Sequence, residues 1–341
     1  MPRYSPADSS RAAKKLALRY VSTSDPGYAR QRRGRGFAYF DADGELVGKL
    51  ELRAWLSSLP IPPAWTRVWI CRYRNGHILA TGRDARSRKQ YLYHPDWRTH
   101  RSLTNFHRLA AFGSALRAIR SRVDRDLRRR GMLRERVLAA AVRLMDATHM
   151  RVGGEAYARE NRTFGLTTLL DRHLRLDGRR LELSFRAKGG QKREIALTDR
   201  RLARVLRQCE ELPGQRLFQF LDDEGRRRTV DSEDINAYLR ETTGQEFTAK
   251  DFRTWGGTVA ALEYLMAERE REDADVEQSI RNALEHAAGH LGNTVAVTRQ
   301  HYVHPLVLDA FRKGMLPPRP RRRRQRLSPA ESVVLKVLTR R

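Results

Sequence analysis

Between Leu291 and Pro305 the chain reads Leu-Gly-Asn-Thr-Val-Ala-Val-Thr-Arg-Gln-His-Tyr-Val-His-Pro. Asn293 and Tyr302 are nine positions apart. At about 100° per residue, one straight helix sets such a pair roughly half a turn apart. The two side chains can face one centre only if the backbone breaks between them. The β-branched residues between Thr294 and Val297 and an N-cap at Thr298 allow such a break. Taken alone, the segment also reads as an ordinary core tyrosine in a helix.

The remaining pattern separates into an α+β arrangement. Residues 1–95 read as a small β-rich domain. Gly36 to Phe40 run into the hairpin-like turn Asp41-Ala42-Asp43-Gly44,. Short strands at 67–71 and 77–80 flank Asn75-Gly76, and Pro60, Pro62 and Pro63 mark a loop. His94-Pro95-Asp96-Trp97 reads as the start of a linker. Residues 96–316 read as a mostly helical domain, and 317–341 as a basic tail with a short terminal helix.

Within the helical part, Phe106, Leu109, Leu116, Ile119, Val123 and Leu127 recur at helical spacing over 104–130, with Arg117, Arg120, Arg125 and Arg128 on the other side,. A second helix, about 133–150, leads to Arg151-Val152-Gly153-Gly154, where the glycines can take a left-handed cap. Residues 180–197 alternate apolar and polar around Gly189-Gly190 and predict a hairpin with Lys188 at its tip,. Further helices are predicted at about 199–211, 232–242, 249–270, 275–290 and 305–313. Pro317 to Arg326 read as a flexible basic strap. Ser328-Pro329-Ala330-Glu331 fits a capping box with proline at the first helical position,.

Charge narrows the partners. The chain has 341 residues with 68 Lys and Arg against 40 Asp and Glu, a formal net charge of +28. That excess points to a polyanion. No apolar run reaches membrane-spanning length, which leaves no expected membrane partner. The first ten residues hold no apolar core of a signal peptide. Cys71 and Cys209 are too few for a disulfide framework, so a reducing, cytoplasmic location is expected. Other chemistries fit poorly. His286 and His290 are one helical turn apart but lack a third ligand. Gly34-Arg35-Gly36 lacks the context of a phosphate loop. No acidic cluster suggests a two-metal nuclease.

Arg151, Lys188, Arg253, Asn293 and Tyr302 together carry a specific chemistry. A tyrosine hydroxyl, with an ordinary pKa near 10, is a weak nucleophile that needs a cationic site. Arg151 and Arg253 can fork onto the non-bridging oxygens of a phosphodiester. Asn293 can add a neutral donor there. Lys188 is the natural general acid for the departing 5′ oxygen. With that set no metal ion and no cofactor are required.

The order of these five residues resembles the active site of poxvirus-type and bacterial type IB DNA topoisomerases, relatives of the tyrosine recombinases. The resemblance extends over Gly82 to Trp97, Phe164-Gly165-Leu166-Thr167-Thr168-Leu169, Lys250-Asp251-Phe252-Arg253-Thr254, Leu291-Gly292-Asn293-Thr294 and Tyr302-Val303-His304-Pro305. It implies a β-rich N-terminal domain and a mostly α-helical catalytic domain whose one β-hairpin carries the general-acid lysine. It further implies a monomer that clamps double-stranded DNA in the bacterial nucleoid, cuts one strand through a 3′-phosphotyrosyl link, relaxes supercoils of either sign and reseals without ATP or another nucleotide. Arg88, Gln90, Tyr91 and Tyr93 match family positions that contact the target from the N-terminal domain. Tyr157 matches a phosphate-contacting tyrosine, and Lys250 a lysine that helps around the cleaved phosphate. Related enzymes often carry His where this chain has Asn293, which makes Asn293 an electrostatic and positioning group. Recombinases usually have His in place of Lys250, which favours a topoisomerase. The rival functions are a tyrosine recombinase or integrase, and a non-enzymatic basic DNA-binding protein.

Overall fold

The alternating stretches before residue 95 close into a sheet. In the computed structural model, which describes residues 6–85, 87–269, 275–318, 320 and 326–340, five antiparallel strands pair in the order β2-β1-β3-β4-β5. They are β1 (Gly27–Arg33), β2 (Gly36–Phe40), β3 (Thr66–Cys71), β4 (Ile78–Arg83) and β5 (Lys89–Tyr93). Helices α1 (Pro6–Lys15) and α2 (Leu50–Ser58) accompany them. Leu56 of α2 is fully buried with Val68, Ile70 and Ala80 of the sheet. Arg30 ties down the proline loop, donating to the carbonyls of Ile61 (2.9 Å), Pro62 (2.8 Å) and Trp65 (3.2 Å).

Backbone contacts divide the chain into two units, Arg3–Thr104 and Asn105–Arg341. The division falls inside α3 (Pro95–His107). The expected linker at His94 to Trp97 is therefore the first turn of a helix. Proline at the first helical position followed by an acidic residue is a helix start, and that signal outweighs the reading of this stretch as a linker. The long helix expected over 104–130 is interrupted at Arg108. Its guanidinium is anchored on the Glu246 carbonyl and lies over the Phe247 ring, 5.4 Å from the centroid.

The second unit contains α4 (Leu109–Asp126), α5 (Arg134–Thr148), α6 (Glu155–Asn161), β6 (Leu174–Asp177), β7 (Arg180–Arg186), β8 (Lys192–Thr198), α7 (Arg200–Glu210), β9 (Gln219–Leu221) and β10 (Arg227–Thr229). It continues with α8 (Ser232–Thr243), α9 (Ala249–Glu268), α10 (Val276–Leu291), α11 (Val295–His301), α12 (Pro305–Arg312) and α13 (Pro329–Thr339). The β-sheet region followed by a helical region bears out the expected α+β class. Helix α5 is buried along most of its length, and Phe252, Trp255, Ala261 and Leu265 of α9 are at most 1% exposed. These two helices form the centre of the core. Strands β7 and β8 pair from Arg180↔Thr198 to Arg186↔Lys192, which puts Lys188 at the hairpin tip as expected.

The C-terminal helix departs from expectation. Ser328 caps α13 with the expected box, yet α13 is no separate tail. Val333 and Val334 are fully buried in the main core. Glu331 accepts from Trp255 Nε1 (2.9 Å) and from Arg120 Nη2 (2.7 Å), and Arg120 also pairs with Asp146 (2.8 Å). Arg120 is thus part of an enclosed network and not a solvent-side arginine. Most of the expected basic strap, at 319 and 321–325, lies outside the described residues.

Candidate active site

The expected break between Asn293 and Tyr302 exists, but it comes early. Gly292 adopts a left-handed conformation (φ 61°) and ends α10. Asn293 N donates to Ala288 O (3.0 Å) and Gly292 N to Gly289 O (3.2 Å), the two bonds of a Schellman closure,. Thr294, not Thr298, then caps α11 with its side chain. Thr298 lies fully buried inside that helix. Tyr302 follows the last residue of α11, so Asn293 and Tyr302 bracket one short helix.

Helix α9 holds Tyr302 from behind. A Cβ on Gly257 would come within 2.7 Å of the Tyr302 carbonyl oxygen and 3.2 Å of its Cβ. Thr258 Oγ1 donates to that carbonyl (3.2 Å) and accepts from His304 N (3.1 Å). The close approach needs glycine at 257.

Arg151 stands three residues beyond the end of α5. Here the left-handed cap is His149 (φ 50°), not the glycines of Gly153-Gly154. Gly153, at φ 94°, serves a different need: Gly165 packs so tightly there that a Cβ would meet Gly153 Cα at 2.6 Å. Leu166 N donates to Arg151 O (2.9 Å) and Thr167 N to Val152 O (2.8 Å), so the Phe164–Leu169 stretch fixes the backbone at Arg151.

The side chains converge. Asn293 Oδ1 accepts from Arg151 Nη2 and from Arg253 Nη2 (3.4 Å). Arg151 Nη2 also reaches Gly292 O (3.2 Å). Arg253, 4% exposed, donates to His149 O (2.5 Å) and Leu291 O (3.0 Å), and its guanidinium carbon lies 5.2 Å from the Tyr302 ring centroid. Burial first, and then the charge of Arg151, bring Arg253 down to about 10, an effect that Tyr302 partly offsets. Burial also lowers Arg151 and Arg193. This is a cation pair held together at a cost that an anion would relieve.

One cavity of about 460 Å3 is lined by Arg151, Lys188, Arg193, Lys250, Arg253 and Tyr302, with Phe164 and Phe185 among its apolar walls. Lys188 is exposed at its tip position, and Lys250 is half-buried in the first turn of α9. Asn293 stands behind the lining, its Nδ2 buried without a partner among the described residues. Of the expected site residues in this unit, only the side chain of Tyr157, a residue of α6, lies outside the described residues.

Of the expected contact cluster of the first unit, Gln90, Tyr91 and Tyr93 lie on β5 and Arg88 immediately precedes it. Asp84 Oδ2 accepts from Arg88 Nε (2.8 Å) and from Gln90 Nε2 (2.9 Å). Tyr91 and Tyr93 alternate with Gln90 along the strand and stack at 5.8 Å with planes 11° apart,. Lys89 Nζ lies 5.4 Å from the Tyr91 ring centroid.

Residues 94–313 match the family described as eukaryotic DNA topoisomerase I, catalytic core. The chain belongs to the type IB DNA topoisomerases. Residues 36–84 match the bacterial DNA topoisomerase IB N-terminal domain. The DNA topoisomerase 1B of Acanthamoeba polyphaga mimivirus is 31% identical over 298 residues, covering 84% of this chain and 88% of its own. As a type IB topoisomerase the chain is an isomerase and its substrate is DNA. Among the described residues no helix is long and apolar enough to cross a membrane.

Three groups at this candidate site were missed in the sequence. Arg193 lines the cavity and donates to Gly289 O (3.1 Å) and His290 O (2.8 Å), anchoring the hairpin against the end of α10. Its position on the return strand, five residues after Lys188, gave no sign of this. Gly256-Gly257 did carry a signal. Two glycines inside a helix cost about 1 kcal/mol each relative to alanine, and something must require them. The third is the pair His149 and His290, joined Nδ1 to Nε2 at 2.8 Å.

Proposed function

We propose that this enzyme relaxes DNA supercoils of either sign by cutting one strand through Tyr302 and resealing it, with no ATP and no metal ion in the reaction. Tyr302 releases its phenolic proton to solvent water and its oxygen attacks phosphorus, the bond to the 5′ oxygen breaks, and Lys188 gives that oxygen its proton. The strand is left joined through its 3′ phosphate to Tyr302, opposite a free 5′ hydroxyl. Attack by that hydroxyl expels the tyrosine and restores the phosphodiester. The exchanged esters are chemically alike, so no external energy is required. Between the steps the cut strand rotates about the intact one.

In this reading Arg151 and Arg253 neutralise the charge growing on the non-bridging oxygens, and Asn293 keeps both aimed. Lys250 and Tyr157 support the same phosphate. Arg88, Gln90, Tyr91 and Tyr93 contact the duplex. The protein acts as a monomer.

The observation that carries the reading is the convergence of Arg151 and Arg253, bridged from behind by Asn293, beside Tyr302 in one cavity with Lys188. The test is plasmid relaxation in EDTA without ATP, together with trapping of a denaturant-resistant DNA adduct. Tyr302→Phe is expected to lose both while keeping DNA binding, since the +28 charge is untouched,. Relaxation or an adduct from Tyr302→Phe overturns the assignment of the nucleophile.

A further inference from the structure

Arg253 is gripped by two backbone carbonyls that belong to different helix ends. Nη1 donates to His149 O at the end of α5, and Nη2 to Leu291 O at the end of α10. The same two ends are joined by a side-chain bond, His149 Nδ1 to His290 Nε2 at 2.8 Å, with ring centroids 5.1 Å apart. The spacing of the two carbonyls is therefore set beside a ring-to-ring contact.

The surroundings leave the rings little room. His149 takes a left-handed backbone conformation, unusual for a residue with a Cβ,. Its ring lies against α9 at Gly256, where a Cβ would come within 2.3 Å of ring carbons. Gly256 is one helical turn beyond Arg253. On the other side, Arg193 donates to His290 O. The pair thus touches all three segments that supply Arg151, Arg253 and Asn293, yet neither ring lines the cavity.

We infer that His149 and His290 are positioning residues that set the aim of Arg253 on the phosphate and thereby the rate of strand cleavage. The inference rests on the cleavage reading above. Burial first, and then the charge of His290, hold His149 down at about 3, with Arg253 and Arg120 acting in the same direction and Glu331 against them. Burial likewise lowers His290, with Arg193, His286 and Arg253 adding to it. The contact is a hydrogen bond between neutral rings at working pH, so it adds no charge to the site. A displacement of about 1 Å in a positioned group costs up to about a hundredfold in rate, which is the lever such a pair would hold.

The experiment measures single-turnover adduct formation on a short duplex whose severed 5′ strand diffuses away, beside DNA affinity and thermal midpoint. His290→Phe keeps the ring volume and removes the bonding nitrogen. His290→Gln returns a polar atom at similar reach. His149→Gly, which the φ of 50° admits, removes only the ring. His290→Phe and His149→Gly should each slow adduct formation by about tenfold to a hundredfold with unchanged DNA affinity. His290→Gln should stay close to wild type, and the double variant should be no slower than His149→Gly alone. The slowing should persist when the 5′ bridging oxygen is replaced by sulfur, because Arg253 acts on the non-bridging oxygens. Wild-type cleavage rates in His290→Phe, an equal loss in His290→Gln, or a loss erased by sulfur would each overturn the inference. If His290→Phe does not fold, His149→Gly carries the same comparison. Absence of an adduct from the wild-type protein overturns the cleavage reading itself, and this inference with it.

Discussion

The amide oxygen of Asn293 bridges Arg151 and Arg253, which would otherwise face each other as buried like charges. A neutral acceptor aims both guanidiniums without cancelling their charge. Asn293→Asp is the sharpest probe of that balance, since it changes one atom. A carboxylate there would pair with both arginines and raise the lowered Arg253 toward its ordinary range. The variant should melt no lower than wild type, and it should cleave at least about a hundredfold more slowly, because the field aimed at the phosphate is spent inside the protein. Single-turnover cleavage and a melting curve check it. Cleavage within a few-fold of wild type would show that the pair's net charge is not what the reaction uses.

Lys188 occupies the tip of the β7–β8 turn, flanked by Gly189 and Gly190 at φ 82° and 80°. An exposed lysine there can reach the departing oxygen or merely a groove. Lys188→Ala is expected to slow cleavage of an ordinary duplex strongly, by about a hundredfold or more. On a duplex carrying a 5′ bridging sulfur the loss should disappear, since a thiolate leaves without a proton. Equal slowing on both substrates would remove Lys188 from the acid role.

Glu331 links α13 to α4 and α9 through Arg120 and Trp255. Glu331→Ala leaves Trp255 Nε1 without its acceptor and Arg120 with Asp146 and the Arg326 carbonyl, and is expected to cost about 3 kcal/mol or more. Burial pushes the Glu331 carboxyl up, but the hydrogen bond and charge of Arg120 pull it net below the ordinary range. A lowered carboxylate stabilises the fold fully above its unfolded pKa, about 4.3. That contribution is lost as pH falls from there through the folded value. Denaturant titrations should therefore show a wild-type advantage over Glu331→Ala that is constant near neutrality and shrinks below pH of about 4. An advantage that grows on acidification would contradict the network.

What the sequence made legible was local. The alternation over 180–197 requires a hairpin, and glycine at 189 and 190 suits its tip, so the place of Lys188 followed from period and turn chemistry. Helix existence followed from apolar spacing. What it hid was where competing signals met. Gly153-Gly154 looked like a helix cap, but Gly153 is needed for the approach of Gly165, and His149 takes the cap because Arg253 and His290 hold it there. Gly292 ends α10 close to its expected end, but Thr294 caps the next helix in place of the expected Thr298. The burial of α13 depends on partners 76 and 211 positions away, Trp255 and Arg120, and no local pattern reports them. Arg193 lies on an alternating strand whose period says only which face it takes.

Asp84 gives the β5 cluster a testable logic. It holds Arg88 and Gln90 together, while Tyr91 and Tyr93 stack along the same strand. A glutamine held at a fixed angle can make a bidentate contact with an adenine edge, and an arginine beside it can reach a phosphate. If the cluster orients the duplex, the Gln90→Ala/Tyr91→Ala double variant should redistribute or suppress cleavage sites with only a small loss of affinity. Arg88→Ala should weaken binding evenly across sequences and flatten the log–log salt dependence by about one unit. Asp84→Ala, which releases Gln90 without removing it, should alter the cleavage map in the same direction as the double variant. The measurement is a cleavage map on end-labelled duplex with binding titrated at several salt concentrations. An unchanged map and rate in the double variant would reduce β5 to a source of positive charge.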